Sequence, residues 1–265
     1  MSVFPDLEVP LTRNSMSSTN FRKQGPPAAL AMFEAEAEGL AELKKAGAVR
    51  VPEVYDVGTD AAGAYIEMQR FELKRGEQRD AATLGEELAT LHRHTADLHG
   101  WHRDNTIGLT PQHNPQSDDW VAFFRIHRLQ FQLDLAERNG YAGELQERGK
   151  QLAEQLGDFF EGYQPAPSLL HGDLWAGNWG VADGVPVIFD PAVYYGDRET
   201  DIAMTRLFGG FGDAFYREYE RVWPLAPGST ERLEVYKLYH VLNHLNLFGS
   251  GYLEQAVAIL RRLTH

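Results

Sequence analysis

From residue 81 to residue 263 the apolar residues recur at helical spacing except across 167–195, and that exception limits the possible folds most. There SLLHGDLWAGNWGVADGVPVIFDPAVYYGD alternates short apolar runs with Gly, Asp and Asn. Such a text reads as a strand, a polar loop, a hairpin around Asp183-Gly184 and another strand. Helices are expected over 81–98, about 117–138, 143–162, 200–222 and 230–263. A helical body therefore encloses one small β segment that carries a dense set of polar side chains.

The N-terminal part has a different, mixed character. Residues 1–19 are rich in Pro, Ser, Thr and Asn and read as a loose arm or irregular strands. Asn20 to Lys23 reads as a short strand, stopped by Gly25-Pro26-Pro27. Leu30, Phe33, Ala37, Leu40 and Leu43 give one face of a helix over 28–46, which Gly47 ends. Val49 to Val57 is extended, Gly58 to Gly63 is a turn, and Ala64 to Met68 is a strand. After Phe71, Lys74 to Asp80 is a charged connector. The expected organisation is α+β, with an N-terminal lobe over 1–72 and a larger, mainly helical lobe over 73–265.

The chain has 25 Lys and Arg against 38 Asp and Glu, a net charge of −13. That argues against a nucleic-acid binder, whose affinity rests on clustered cations. A nucleotide site survives the argument, since one local cation and bound metal ions offset a triphosphate. The absence of Cys removes disulfides, thiolate nucleophiles and Cys-ligated metals. No run approaches 18 apolar residues, so no membrane span is expected. The first residues lack the apolar core of a secretory signal, and the reading is a soluble, cytoplasmic protein. GxxxxGK[ST] and GxSxG do not occur, against a P-loop kinase and an α/β-hydrolase.

Asp173 and Asn178 are five residues apart, and Asp190 lies twelve beyond Asn178 across the expected hairpin. The hairpin returns its second strand beside its first, bringing two carboxylates and one amide around a point. Such oxygen donors suit Mg²⁺, which keeps waters or phosphate oxygens in its other positions. Phosphoryl transfer to a hydroxyl needs an Asp to orient the hydroxyl and accept its proton. It also needs an Asn and a second Asp to hold metal, and the five-residue spacing is that of the protein-kinase catalytic loop. Read alone, HGD and DG are ordinary turn chemistry. A Lys on a strand and a Glu on the next helix complete such a site. Lys23 and Glu36 are candidates, with Glu34 and Glu38 competing for the second role.

Other signals point to structure. His240 and His244 have metal-ligand spacing but no third partner, and His92 and His94 cannot share a helix face. Gly209-Gly210-Phe211-Gly212 reads as a turn. Asp201 and Arg206 form either an ion pair or substrate contacts. Of the tryptophans, Trp175 on the catalytic loop is the candidate for stacking on a substrate, ahead of Trp101, Trp120 and Trp179.

Beyond these residues, the chain resembles the fructosamine kinase (ketosamine-3-kinase) family from Phe21 to Tyr252. The family sits within the protein-kinase-like phosphotransferases that include aminoglycoside and choline kinases. HGDLWAGNW, FDPAVYYGDRETDIAMTRLFGGF and LYHVLNHLNLFGSGY carry the resemblance. DNTIGLTPQHN and DDWVAFFRIHRLQFQL resemble the segment that separates the family from other small-molecule kinases. The resemblance implies a bilobal kinase fold with ATP between the lobes and Mg²⁺ beside it. It makes Asp173 the proton acceptor and Asn178 and Asp190 the metal ligands. FRK points to Lys23 as the nucleotide lysine and MFEAEAEGL to Glu36 as its partner. YIEMQRFEL resembles the hinge, so the backbone of Gln69, Arg70 and Phe71 would meet adenine. The implied reaction phosphorylates O3 of a ketosamine, a glycated amine or protein lysine, and the unstable product releases the amine. One feature departs from the family: only about twenty residues precede Lys23, with Ser15, Ser17 and Ser18 but no Gly before Gly25. A kinase of another small hydroxyl compound, or a pseudokinase-like binding protein suggested by that shortening, are the competing expectations.

Overall fold

The computed structural model describes residues 20–264. The expected arm with Ser15, Ser17 and Ser18 lies outside the described residues. β1 (Asn20–Gly25), β2 (Val54–Asp60) and β3 (Gly63–Gln69) form an antiparallel sheet with β3 in the centre. Lys23 stands opposite Ile66. β2 runs through Gly58, which was expected in a turn; the reversal is confined to Ala61-Ala62, because Gly58 pairs with Tyr65.

α1 (Leu30–Ala46) packs Phe33, Leu40 and Leu43 inward, and Gly47 ends it in the left-handed conformation with its N–H on the Lys44 carbonyl. α2 (Gln78–His92) is shorter than the helix expected over 81–98 and starts earlier. A reciprocal capping box between Glu77 and Asp80 fixes its start. Beyond its end the chain is drawn into bridges with Ser168 and Tyr195. β4 (Asn105–Ile107) and β5 (Thr110–Gln112) make a small hairpin. α3 (Trp120–Phe124) continues through a π-helical turn, Arg125–Gln130, into α4 (Phe131–Arg138). α5 spans Glu144–Gln155.

β6 (Ser168–Leu170) pairs with β9 (Tyr194–Gly196), and β7 (Trp179–Ala182) pairs with β8 (Val185–Ile188) around Asp183-Gly184. Both turn residues have positive φ, +55° and +79°, as a two-residue hairpin of this hand requires. The helix expected over 200–222 is two, α6 (Glu199–Thr205) and α7 (Asp213–Val222), separated by the glycine-rich turn. That over 230–263 divides at Gly249 into α8 (Ser229–Phe248) and α9 (Leu253–Leu263). Among the described residues no helix is long and apolar enough to cross a membrane.

One apolar core runs from Ile66 and Leu40 to Leu242 and Leu260, and α2 lies along α7 within it. At their crossing a Cβ added to Gly85 would lie 2.2 Å from the Phe215 carbonyl oxygen. Gly85→Ala, normally favourable within a helix by about 1 kcal/mol, is therefore expected to destabilise by about 1–3 kcal/mol, measured by urea unfolding.

Candidate active site

The site is assembled from four places in the chain. β1 supplies Lys23, whose Nζ lies 2.6 Å from Glu36 Oε1 on α1 and 2.6 Å from Asp190 Oδ1 just beyond β8. The lysine and Glu36 side chains are only 11% and 12% exposed, while Asp190 is 45% exposed. Burial works against the ammonium, but the attraction of the two carboxylates outweighs it and holds the Lys23 pKa above its usual value. Burial pushes the Glu36 carboxyl up, with Asp190 adding to the shift and Lys23 opposing it. Lys23 thus selects Glu36 from the acidic face of α1. Glu34 and Glu38 turn instead to Arg103.

The β6–β7 loop supplies Asp173 and Asn178. Asn178 Nδ2 donates to the Asp173 carbonyl at 2.8 Å, and the Phe189 N–H donates to the Asn178 carbonyl at 3.1 Å. The hairpin thereby brings Asn178 to the foot of Asp190. Asp190 has φ +57°, a conformation unusual for a residue with a side chain. Burial, reinforced by the charges of Asp190 and Asp201, pushes the Asp173 carboxyl up to about 7. His171 Nε2 donates to the Phe189 carbonyl at 3.0 Å and Nδ1 accepts the Asp173 N–H at 3.2 Å, so the neutral ring braces the loop. Gly172 has φ +83°, and a Cβ there would strike the Ala192 carbonyl oxygen at 2.1 Å.

Between the sheet and the helical body lies a cavity of about 1100 Å³, walled by Met68 to Phe71, Trp179, Phe189 and Phe211, with Asp190 on its lining. Gln69 donates its N–H to the Glu53 carbonyl at 2.7 Å. Arg70 is exposed, and the Phe71 ring carries the Arg50 guanidinium 4.5 Å from its centroid. Trp175 is 38% exposed, with its ring edge-on to Phe208 at 6.2 Å. Trp101 and Trp120 are buried, and Trp120 donates its ring N–H to Tyr236. His244 Nδ1 donates to the His240 carbonyl, a packing role.

Asp201 takes neither of the two roles its position in the sequence left open, an ion pair with Arg206 or a substrate contact. Asp201 makes no ion pair with Arg206, whose guanidinium covers the Tyr216 ring. Asp201 is fully buried and accepts the N–H groups of His171 and Gly172 at 2.7 and 2.8 Å, with His92 Nε2 at 3.2 Å. Burial raises its pKa, but these donors outweigh that and keep it low. His92 is held from its other side by the Tyr219 hydroxyl at 2.8 Å. The signal in the sequence was the charge cluster Asp197, Arg198, Glu199 and Asp201 leading directly into the apolar Ile202-Ala203-Met204.

Whether these residues suit Mg²⁺ can be judged from the donors. Asn178 has its amide nitrogen turned to Asp173, leaving Oδ1 as acceptor, and Asp190 has a carboxylate oxygen beyond the one that meets Lys23. Both are hard oxygen donors. Among the described residues no three His, Cys, Asp or Glu form a metal cluster, so a Mg²⁺ ion held by these two residues would need phosphate oxygens and water to complete its shell. That is how Mg²⁺ binds with nucleotides.

A three-stranded sheet with a Lys–Glu pair, set over a helical body with an Asp-x₄-Asn loop and a second Asp, defines a bilobal phosphotransferase of protein-kinase-like fold. The comparisons narrow this. The fructosamine kinase profile matches residues 10–265, and the chain belongs to that family. It is 45% identical over 236 residues to a probable ketoamine kinase of Synechocystis, covering 87% of this chain and 78% of that protein. It is 43% identical over 235 residues to the chloroplastic protein-ribulosamine 3-kinase of Oryza sativa subsp. indica, covering 86% and 68%. A structure from Haemophilus somnus 129PT, described as a fructosamine-3-kinase, superposes with a TM-score of 0.86 at 29% identity, covering 93% and 84%. The ADP-bound aminoglycoside phosphotransferase APH(2'')-Ib shares the fold alone, with a TM-score of 0.61 at 14% identity, covering 97% and 94%.

Asp201→Asn turns an NH₂ toward donors and loosens the loop bearing Asp173. Its kcat is expected to fall about 10²-fold, with KM for ATP nearly unchanged, in steady-state kinetics.

Proposed function

We propose that this enzyme transfers the γ-phosphoryl group of ATP to the O3 hydroxyl of a ketosamine, a fructosamine or ribulosamine, and so promotes deglycation. The observation that carries this reading is the junction of Lys23, Glu36 and Asp190 beside the Asp173–Asn178 loop, at the edge of a cavity between the lobes. Membership of a family with ketoamine and ribulosamine kinases supplies the acceptor class.

In this reading residues 1–72 form the nucleotide lobe and 73–265 the catalytic and acceptor lobe. Arg70 and Phe71 offer backbone groups to adenine, since Gln69 has already donated its N–H. Lys23, steadied by Glu36, neutralises the α- and β-phosphates. Asn178 and Asp190 hold Mg²⁺, which supplies charge neutralisation on the phosphates. Asp173 orients the O3 hydroxyl and accepts its proton as the O3–P bond forms and the bond to ADP breaks. Trp175, half open beside Asp173, stacks on the acceptor. Positioning and electrostatics carry most of the rate enhancement. The acceptor is a small ketosamine or a glycated lysine on a protein, and the cytoplasm is the proposed compartment.

The test is ATP consumption with Mg²⁺ on a fructosyl-amine, a ribulosyl-amine, choline and kanamycin. Turnover is expected on a ketosamine and not on the last two. Asp173→Ala is expected to lower kcat by at least about 10²-fold while ATP still raises Tm. Full activity in that variant, or turnover confined to kanamycin or choline, overturns the reading.

A further inference from the structure

The two segments that resemble what sets this family apart, 104–114 and 118–133, contribute nothing to the reacting groups described above. They meet behind those groups. Asn105 Nδ2 donates to the Val193 carbonyl at 2.8 Å, and Gln112 Nε2 donates to the Ala192 carbonyl at 3.1 Å. Gln112 Nε2 and Asn114 Nδ2 both donate to Asn105 Oδ1, at 2.8 and 2.9 Å. Arg128 Nη2 donates to Asn114 Oδ1 at 2.6 Å, and its Nη1 donates to the His113 carbonyl at 2.7 Å. The network thus ends on two backbone carbonyls, two and three residues past Asp190.

Arg128 is the costly member. It is wholly buried, and among the described residues no carboxylate lies within ion-pair distance of it. Its guanidinium lies 4.2 Å from the centre of the Tyr194 ring and 4.8 Å from that of Phe123. A buried cation answered only at a distance, by Asp104, costs stability, whereas a rigid fork of donors fixes several acceptors at once. It also lies on the π-helical turn 125–130, a local irregularity frequent at functional sites. The residue it steadies at a distance, Asp190, holds a left-handed backbone that persists only where its surroundings impose it.

The residues just before β4 reach α1 from its other side. Arg103 Nη1 donates to Glu38 Oε1 at 2.6 Å, Arg103 Nη2 donates to the Ala31 carbonyl at 3.3 Å, and His102 Nε2 meets Glu38 Oε2 at 2.7 Å. Glu38 is two residues from Glu36. Between these arms α1 rests on the segment after Asp190, where a Cβ on Gly39 would lie 3.1 Å from Val193 Cγ2.

We infer that Asn105, Gln112, Asn114 and Arg128 are positioning residues that fix Asp190, and that Arg103 holds α1, and with it Glu36, through Glu38 and the Ala31 carbonyl, so that the β4–β5 hairpin and the residues flanking it set the Lys23–Glu36–Asp190 geometry. The inference rests on the reading of Asp190 as a metal ligand and of Glu36 as the partner of Lys23.

The test is calorimetric titration with ADP, with and without Mg²⁺, on the full chain, beside Tm. Asn105→Leu removes the donor to Val193 at a half-buried site. It is expected to weaken ADP binding about tenfold when Mg²⁺ is present, the size typical of outer-shell losses at metal sites. Binding without Mg²⁺ and KM for the ketosamine should stay within about twofold of wild type, because the effect passes through Asp190. Arg103→Glu lies at the surface and tests the other arm if Asn105→Leu does not fold. It should weaken nucleotide binding about threefold, as an exposed pair can, and Arg103→Glu with Glu38→Arg should restore it. Asp190→Asn is the control. If it removes the Mg²⁺-dependent part of ADP affinity while a folded Asn105→Leu binds as wild type and the charge swap rescues nothing, the positioning role is overturned and the site reading stands. If Asp190→Asn leaves that affinity unchanged, the metal-ligand reading fails and takes this inference with it.

Discussion

The Lys23 ammonium held between Glu36 and Asp190 is the interaction on which the rest of the site depends. Its three members come from the sheet, from α1 and from the chain beyond the β7–β8 hairpin. Attraction in a largely buried setting is strong enough to outweigh the desolvation of the lysine. Each member must therefore be carried by an element that cannot drift. β1 is fixed by its register on β3, α1 by its apolar face and its contact with Val193, and Asp190 by the hairpin in front and the polar network behind.

The β6–β7 loop that bears Asp173 is secured by a different device. Asp201 takes two of its backbone N–H groups, and His171 ties it to Phe189. These bonds are directional and nearly dry, so they define the loop more narrowly than apolar packing would. His92 and Tyr219 extend the same network to α2 and α7, the helix pair packed most closely in the larger lobe. Stability of that pair and the position of Asp173 are one physical matter.

Much of this was legible in the residues. The Asp-Gly turn dictated the β7–β8 hairpin, because both φ values are positive and the neighbouring runs are apolar. The hairpin in turn brought Asp190 back to Asn178, as expected. Lys23 and Glu36 meet as the resemblance implies, although the residues alone left Glu34 and Glu38 competing. Other expectations failed for identifiable reasons. Gly58 looked like a turn residue, but its pairing with Tyr65 keeps it in a strand. The helix expected over 81–98 stops at His92, because the following residues bridge to β6 and β9, a long-range preference that periodicity does not record. Asp201 left two readings open, an ion pair with Arg206, five residues on, or a substrate contact. Its partners are backbone amides 29 and 30 residues earlier in the chain.

By itself the sequence determined the alternation of helix and strand, the oxygen-donor set, its spacing on one hairpin, and a net negative charge that argues against a general nucleic-acid binder. These follow from local backbone preference and from side-chain chemistry, which need no third dimension. The tertiary structure alone decided where Asp201 places its charge and why Gln112, Asn114 and Arg128 are buried. Those outcomes depend on contacts between residues far apart in the chain. Their energies come from desolvation and hydrogen-bond geometry, and neither exists until the chain is packed.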